Sequence, residues 1–380
     1  MDSYLRYART RQKEIIALIR EFVECESPSD HPPSINRFVD LLSESVIDIA
    51  TVKKFDGGHA RIEFNLPGTK KEGQILALGH SDTVWSLGTL RTMPFREQKG
   101  RLWGPGVLDM KAGLAFFIFA ARALREMDVP VARKVVMQVN ADEEVGSDSS
   151  RPLTEDAARS SSAVLVLEPG TGLEGKLKTA RKGVGDYTLT VRGKASHAGV
   201  DFANGANAIV EMARQLDRIA GFTQLDRGVT VSPGVVHGGT RSNVVPAECR
   251  AEIDIRAPRD RDRVYLEKKF ASLKPFDRRC TVEVTGGLNR PPMERSSGVV
   301  KLFKTAEKLA AELGVTLQES STGGGSDGNF TAALGVPTLD GLGAVGEGAH
   351  ASNESILINR IADRTALLAK LVCTLSTASH

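Results

Sequence analysis

Cysteine is scarce in this sequence: 380 residues carry four, Cys25, Cys249, Cys280 and Cys373, far apart and without a C-x-x-C pair. That spacing argues against a zinc–thiolate site or a disulfide framework and leaves four reduced, packed thiols. Charge of one sign is not in excess either. Fifty Lys and Arg against 47 Asp and Glu give +3, too even a balance for a nucleic-acid or membrane-surface partner. No apolar run is long; the longest, around 114–121, falls short of spanning a bilayer. The first residues read as a charged helix without an apolar signal core, so a cytoplasmic location is expected. There is no internal repeat or low-complexity tract.

What is present is an ordinary globular composition, in a chain long enough for two or three domains. Residues 3–25 carry Leu5, Ala8, Ile15, Leu18, Ile19 and Phe22 at helical spacing, and S-P-S-D-H-P-P then breaks the pattern. Short apolar strands follow at 75–79, 134–140 and 163–167, with helices at 111–127 and 149–159 between them. Nearly all-apolar strands separated by helices predict an α/β fold: a mainly parallel, mixed sheet flanked by helices. The style changes near Gly183. Strands at 186–192, 229–236, 247–257 and 281–284, with helices at 206–219 and 260–272, give the order β-α-β-β-α-β, the ferredoxin-like arrangement. A helix at 299–313 returns to the first style. The expected organisation is a discontinuous domain, 1–181 and 292–380, with an inserted domain at 182–291.

Several acidic and histidine residues stand out by position. His80 and Asp82 lie two apart at the end of a buried strand, so both can face one cleft. Asp109 sits in the glycine-rich G-P-G-V-L-D-M-K-A-G before a helix. Glu143 and Glu144 directly follow one strand and Glu168 another, and His350 lies in G-E-G-A-H-A-S. Sites in open α/β sheets gather beyond the C-terminal ends of strands. Carboxylates and imidazoles without thiolates suit zinc, and two ions sharing a bridging carboxylate need about five such ligands. Adjacent glutamates resist joint ionisation unless a cation neutralises one. Taken singly, each residue has a plainer reading: loop histidines, a turn cap at Asp82, a helix cap at Asp109, solvated glutamates. Their joint occurrence favours the metal reading.

The strings G-H-S-D-T-V, G-P-G-V-L-D-M-K-A-G, A-D-E-E-V-G-S, E-P, G-K-A-S-H-A-G, G-G-G-S-D-G-N and G-E-G-A-H-A span nearly the whole chain. Together they resemble the co-catalytic dinuclear zinc exopeptidases, the family of glutamate carboxypeptidase, acetylornithine deacetylase and succinyl-diaminopimelate desuccinylase. The nearest resemblance is to the folate-cleaving glutamate carboxypeptidase type. It implies two Zn2+ per subunit, replaceable by Co2+ or Mn2+. His80, Asp109 and Glu168 would hold one ion and Asp109, Glu144 and His350 the other. Glu143 would be the general base and Asp82 would orient His80. The Asp109–Met110 peptide bond would be cis; Met110 stands where the family often has Asp. His197, in the inserted domain, would donate to the oxyanion in the other subunit of a homodimer built through that domain.

A substrate with a free carboxylate needs cationic or amide donors. Asn243, Arg256 and Arg290 are candidates, although both arginines could be plain salt-bridge residues. Gly324, Gly325 and Ser326 could offer backbone N–H groups to an anion, or form only a flexible loop. Lys176, eight positions after Glu168, resembles the lysine that meets the glutamate side chain in folate-cleaving members; as a loop lysine it could equally be solvated. The expected activity is hydrolysis of an amide beside a free carboxylate, releasing a C-terminal glutamate. The rivals are an N-acyl-amino-acid deacylase of the same chemistry and an inactive metal-binding scaffold. Retention of Glu143 and of every ligand position argues against the scaffold.

Overall fold

Ile75 to His80 and Val135 to Asn140 are buried without interruption, as strands covered on both faces must be. The computed structural model describes residues 2–69 and 71–377. These form two units, one comprising the described residues of 2–180, 295–321 and 326–377 and the other 181–294 with 322–325.

In the first unit a six-stranded sheet runs in the order Ala50–Phe55, His59–Phe64, Lys134–Asn140, Gln74–His80, Ser161–Val166, Thr338–Leu339. The last four strands are parallel. The first two form an antiparallel hairpin on one edge, not foreseen from the sequence. His80 pairs with Asn140, and Leu78 with Val166. Three strands therefore end at nearly one level, and Asp82, Glu143, Glu144 and Glu168 all leave the sheet along one edge.

Helix Ala112–Glu126 is buried almost all round, which suits an apolar sequence packed on several sides. At its start a side chain on Gly113 would lie 2.2 Å from the Leu167 carbonyl oxygen, so only glycine lets helix and strand end approach this closely. The single helix expected over 3–25 is two, Ser3–Thr10 and Gln12–Glu24, broken at Arg11. The break lets the first piece pack on the C-terminal helix Ile361–Thr377 and the second on Ala112–Glu126. Past the proline-rich break, helix Pro32–Glu44 begins with two prolines in its first turn, where their missing N–H groups cost nothing.

The second unit has the order Gly183–Arg192, Ala208–Ala220, Thr230–Gly238, Glu248–Ala257, Asp260–Ala271, Thr281–Arg290. Its antiparallel sheet runs Thr230–Gly238, Glu248–Ala257, Gly183–Arg192, Thr281–Arg290. Side chains along the central strands alternate between buried and less buried, and the inward ones make a separate core with Leu266 and Phe270. Phe270 stacks on Tyr187 with ring centres 3.8 Å apart. Residues 322–325 join this unit because Arg181 Nη1 donates to the carbonyls of Gly324 and Gly325, and the Lys182 N–H to that of Thr322. All four cysteines are free. No helix among the described residues is long and apolar enough to cross a membrane.

Phe117 is buried edge-on against Phe64, with ring centres 5.7 Å apart. Phe117→Ala is expected to cost about 3–5 kcal/mol in chemical denaturation. Ile47→Ser, at a residue 78% exposed, should change stability by less than about 0.5 kcal/mol.

Candidate metal centre

Four side chains from four other segments meet around the carboxylate of Asp109. On one side, His80 Nε2 lies 3.2 Å from Asp109 Oδ1 and 3.6 Å from Glu168 Oε1. On the other, His350 Nε2 lies 3.3 Å from Asp109 Oδ2 and 3.2 Å from Glu144 Oε2. Asp109 thus turns one oxygen to each of two triplets, His80–Asp109–Glu168 and Asp109–Glu144–His350. Within each, the donor atoms lie within 4.8 Å of one another.

Local structure fixes these positions. His80 ends its strand, and its Nδ1 donates to the Asp82 carbonyl at 3.0 Å, with Asp82 Oδ1 at 3.3 Å. That commits one proton to Nδ1 and turns Nε2, the atom that would meet a cation, toward Asp109 and Glu168. Asp82 does more than orient the ring. Its two oxygens accept the backbone N–H groups of Glu143 at 3.2 Å and Glu144 at 3.1 Å, and the Ser29 hydroxyl at 2.8 Å. One buried carboxylate therefore ties the His80 strand end to the loop carrying both glutamates. The Asp109–Met110 bond is cis. The Glu168 carbonyl accepts the Gly343 N–H at 2.9 Å. A side chain at position 343 would lie 2.0 Å from the Leu167 carbonyl, so glycine is required there. His350 adopts φ +61°, in the left-handed region that few non-glycine residues occupy.

The charge balance of this pocket is one-sided. Burial by itself would lower the His80 pKa, but Asp109, Asp82 and Glu168 outweigh it and raise it well above the usual imidazole range. Hydrogen bonds to Asp109 and Glu144 push His350 up to about 10. Asp109 is desolvated, yet His350 and His80 hold its carboxyl far below the usual range. Burial raises Glu144, against the opposing pull of His350. Glu144 Oε1 is buried with no hydrogen-bond partner, an arrangement that is costly unless a cation meets it. Imidazole nitrogens and carboxylate oxygens, one of them orphaned, fit a pair of divalent ions.

The remaining sequence candidates fall in different places. Glu143 adjoins the cluster, anchored through its N–H to Asp82. Lys176 is half-buried on the turn that joins Thr171 to Lys176 after Glu168. Ser326 does not offer the open N–H expected of an anion cradle: its N–H goes to Asn329 Oδ1 at 3.0 Å and its hydroxyl to Asp340 Oδ2 at 2.7 Å. In the second unit, the Ala198 N–H donates to the Asn243 carbonyl at 3.0 Å, which sets His197 and Asn243 side by side. His197 Nδ1 accepts the N–H groups of Gly199 and Val200 at 3.1 and 3.2 Å, so its neutral ring carries the proton on Nε2, free to donate. The Arg256 guanidinium is gripped by both oxygens of Asp254, at 3.0 and 2.7 Å, which is its salt-bridge reading. Arg290 is buried, donates to Asn289 Oδ1 at 2.8 Å and packs against Gly325.

Sequence reasoning missed a supporting layer. Glu354, four residues past His350, is wholly buried beneath the Asp109 loop. Lys111 is buried with its ammonium donating to the Cys25 carbonyl at 2.8 Å. Asn140 Nδ2 donates to Asp327 Oδ2 at 2.6 Å. Of these, only Glu354 left a visible signal, an acid close to a ligand in a stretch of small residues.

The profile of peptidase family M20/M25/M40 matches residues 76–374. The chain is 32% identical over 386 residues to carboxypeptidase G2 of Pseudomonas sp., covering 98% of this chain and 92% of that protein. It is 29% identical over 295 residues to succinyl-diaminopimelate desuccinylase of Cereibacter sphaeroides, covering 72% and 74%. In fold it is similar to the aminopeptidase PepT of Bacillus cereus, with TM-score 0.81 and 22% identity over 96% of this chain and 99% of that one. It is also similar to an M20 family metallo-carboxypeptidase of Sulfolobus solfataricus, with TM-score 0.73 and 18% identity over 96% and 100%. The chain belongs to peptidase family M20/M25/M40 and is a metal-dependent hydrolase.

Proposed function

We propose that the protein is a dinuclear zinc carboxypeptidase that cleaves an amide beside a free carboxylate and releases a C-terminal glutamate from peptides or N-acyl, folate-like substrates. The observation that carries the dinuclear part is Asp109, which gives one oxygen to each of two ligand triplets. His80 and Glu168 would complete the ligand set of one ion, Glu144 and His350 that of the other. Bound there, a divalent pair supplies Lewis-acid activation of a water and of the scissile carbonyl.

The chain's own residues do the rest. Glu143 takes a proton from the attacking water and returns it to the leaving amine. Asp82 keeps that base in place through its N–H, along with the Glu144 ligand. His197, with its proton on Nε2, is the donor for the oxyanion. In this reading it acts across a homodimer formed through the inserted unit. The glutamate specificity rests on the similarity to carboxypeptidase G2 and on Lys176, Asn243 and Arg290 as partners for substrate carboxylates. The similarity to a desuccinylase favours a second reading, removal of an acyl group from an N-acyl amino acid.

Chelation is expected to abolish hydrolysis of N-acyl-glutamates, and Zn2+, Co2+ or Mn2+ to restore it; turnover that survives metal removal would overturn the proposal. Glu143→Gln should lower kcat about 100- to 10,000-fold while metal content, read by elemental analysis, stays at the wild-type value. A substrate panel separates the two readings: faster turnover of N-succinyl-diaminopimelate or N-acetylornithine than of acyl-glutamates would replace the glutamate assignment.

A further inference from the structure

Glu354 is fully buried, and four N–H groups converge on its carboxylate. Oε1 accepts from the backbone of Leu108 at 2.8 Å and of Asp109 at 3.1 Å. Oε2 accepts from the backbone of Gly106 at 3.0 Å and from Trp85 Nε1 at 2.8 Å. The segments so joined are those that matter most to the metal centre. One carries Asp109, whose two oxygens must serve two triplets at once; the other carries His350, four residues before Glu354. Next to Glu354, Ser355 pairs with Trp103 in a short antiparallel bridge, so the two loops leave a common strand pair and are clamped again where they reach the ligands.

We propose that Glu354 is a positioning residue of the metal centre: as an acceptor-only carboxylate it fixes the Asp109 backbone relative to His350, and so sets where the shared oxygens stand. The inference rests on the dinuclear reading above. The donor pattern makes it specific. Each oxygen accepts two N–H groups, which an ionised carboxylate can do on both sides. A glutamine amide can do so on one side only, and its NH2 would face two donors. Glu354→Gln, although nearly isosteric, is therefore expected to release half of the clamp. A residue that merely stitched two loops together would lower stability and leave the ions alone.

The test is chelator competition on wild type, Glu354→Gln, Trp85→Phe and a matched control, with Zn2+ for affinity and Co2+ for the visible spectrum. The control is Glu211→Gln in the other unit. Glu211 is also buried, accepts the N–H groups of Phe276 and Asp277, each at 2.9 Å, and takes a further bond from Gln215. Glu354→Gln is expected to weaken the less tightly held ion about 10- to 100-fold and to change the Co2+ spectrum. Glu211→Gln should lower the thermal midpoint with both affinities unchanged. Trp85→Phe removes one of the four donors at a partly exposed side chain and should give a smaller loss in the same direction, which keeps the test open if Glu354→Gln does not fold. Wild-type affinities and spectrum in Glu354→Gln, or in Trp85→Phe where that is the folded variant, would overturn the inference. Wild-type protein that takes up fewer than two ions would overturn the dinuclear reading and this inference with it.

Discussion

The rest of the centre depends on Asp109, because its carboxylate belongs to both triplets. Each of its oxygens faces an imidazole, His80 on one side and His350 on the other, with Glu168 and Glu144 completing the two groups. Three carboxylates and two imidazoles in so small a space need positive charge among them. The raised pKa values of both histidines and the orphaned Glu144 oxygen express that need. Divalent cations would satisfy it with the nitrogen and oxygen donors present.

The sheet supplies the geometry that Asp109 requires. Parallel strands ending in register deliver His80, Asp82, the Glu143–Glu144 pair and Glu168 along one edge. The helix that follows Asp109 is drawn against the same edge through Gly113. Two buried carboxylates outside the ligand set then do related jobs. Asp82 links the His80 strand end to the Glu143–Glu144 backbone, and Glu354 links the Asp109 backbone to the His350 segment. Both work through N–H donors, whose directionality fixes backbone position in a way that apolar packing does not.

The second unit has a different physical basis. Its four-stranded antiparallel sheet buries one set of side chains under two helices, with a core separate from that of the first unit. Its polar candidates divide by their existing partners. His197 presents a donor on Nε2 because two backbone N–H groups occupy Nδ1, whereas the Arg256 fork is already filled by Asp254.

The sequence by itself determined the elements with strong periodicity. The apolar strands at 75–79 and 134–140, the helix after Asp109 and the β-α-β-β-α-β order of the inserted segment were legible because burial on two faces, or on alternate sides, leaves a direct pattern. The acidic and histidine positions were legible because they follow strand ends and break an otherwise apolar pattern. The tertiary structure alone decided the hairpin on the sheet edge, the break at Arg11, the internal use of Ser326, the filled Arg256 fork and the roles of Asp82 and Glu354 toward the backbone. For the sheet edge, the break at Arg11 and the roles of Asp82 and Glu354, a hydrogen bond between residues far apart in the chain, or packing against a distant element, leaves no period in the sequence around either partner; the Arg256–Asp254 and Ser326–Asn329 bonds are local, but residue order does not say which way those side chains turn. Glu354 and Leu108 are 246 positions apart, and nothing local to either requires the other.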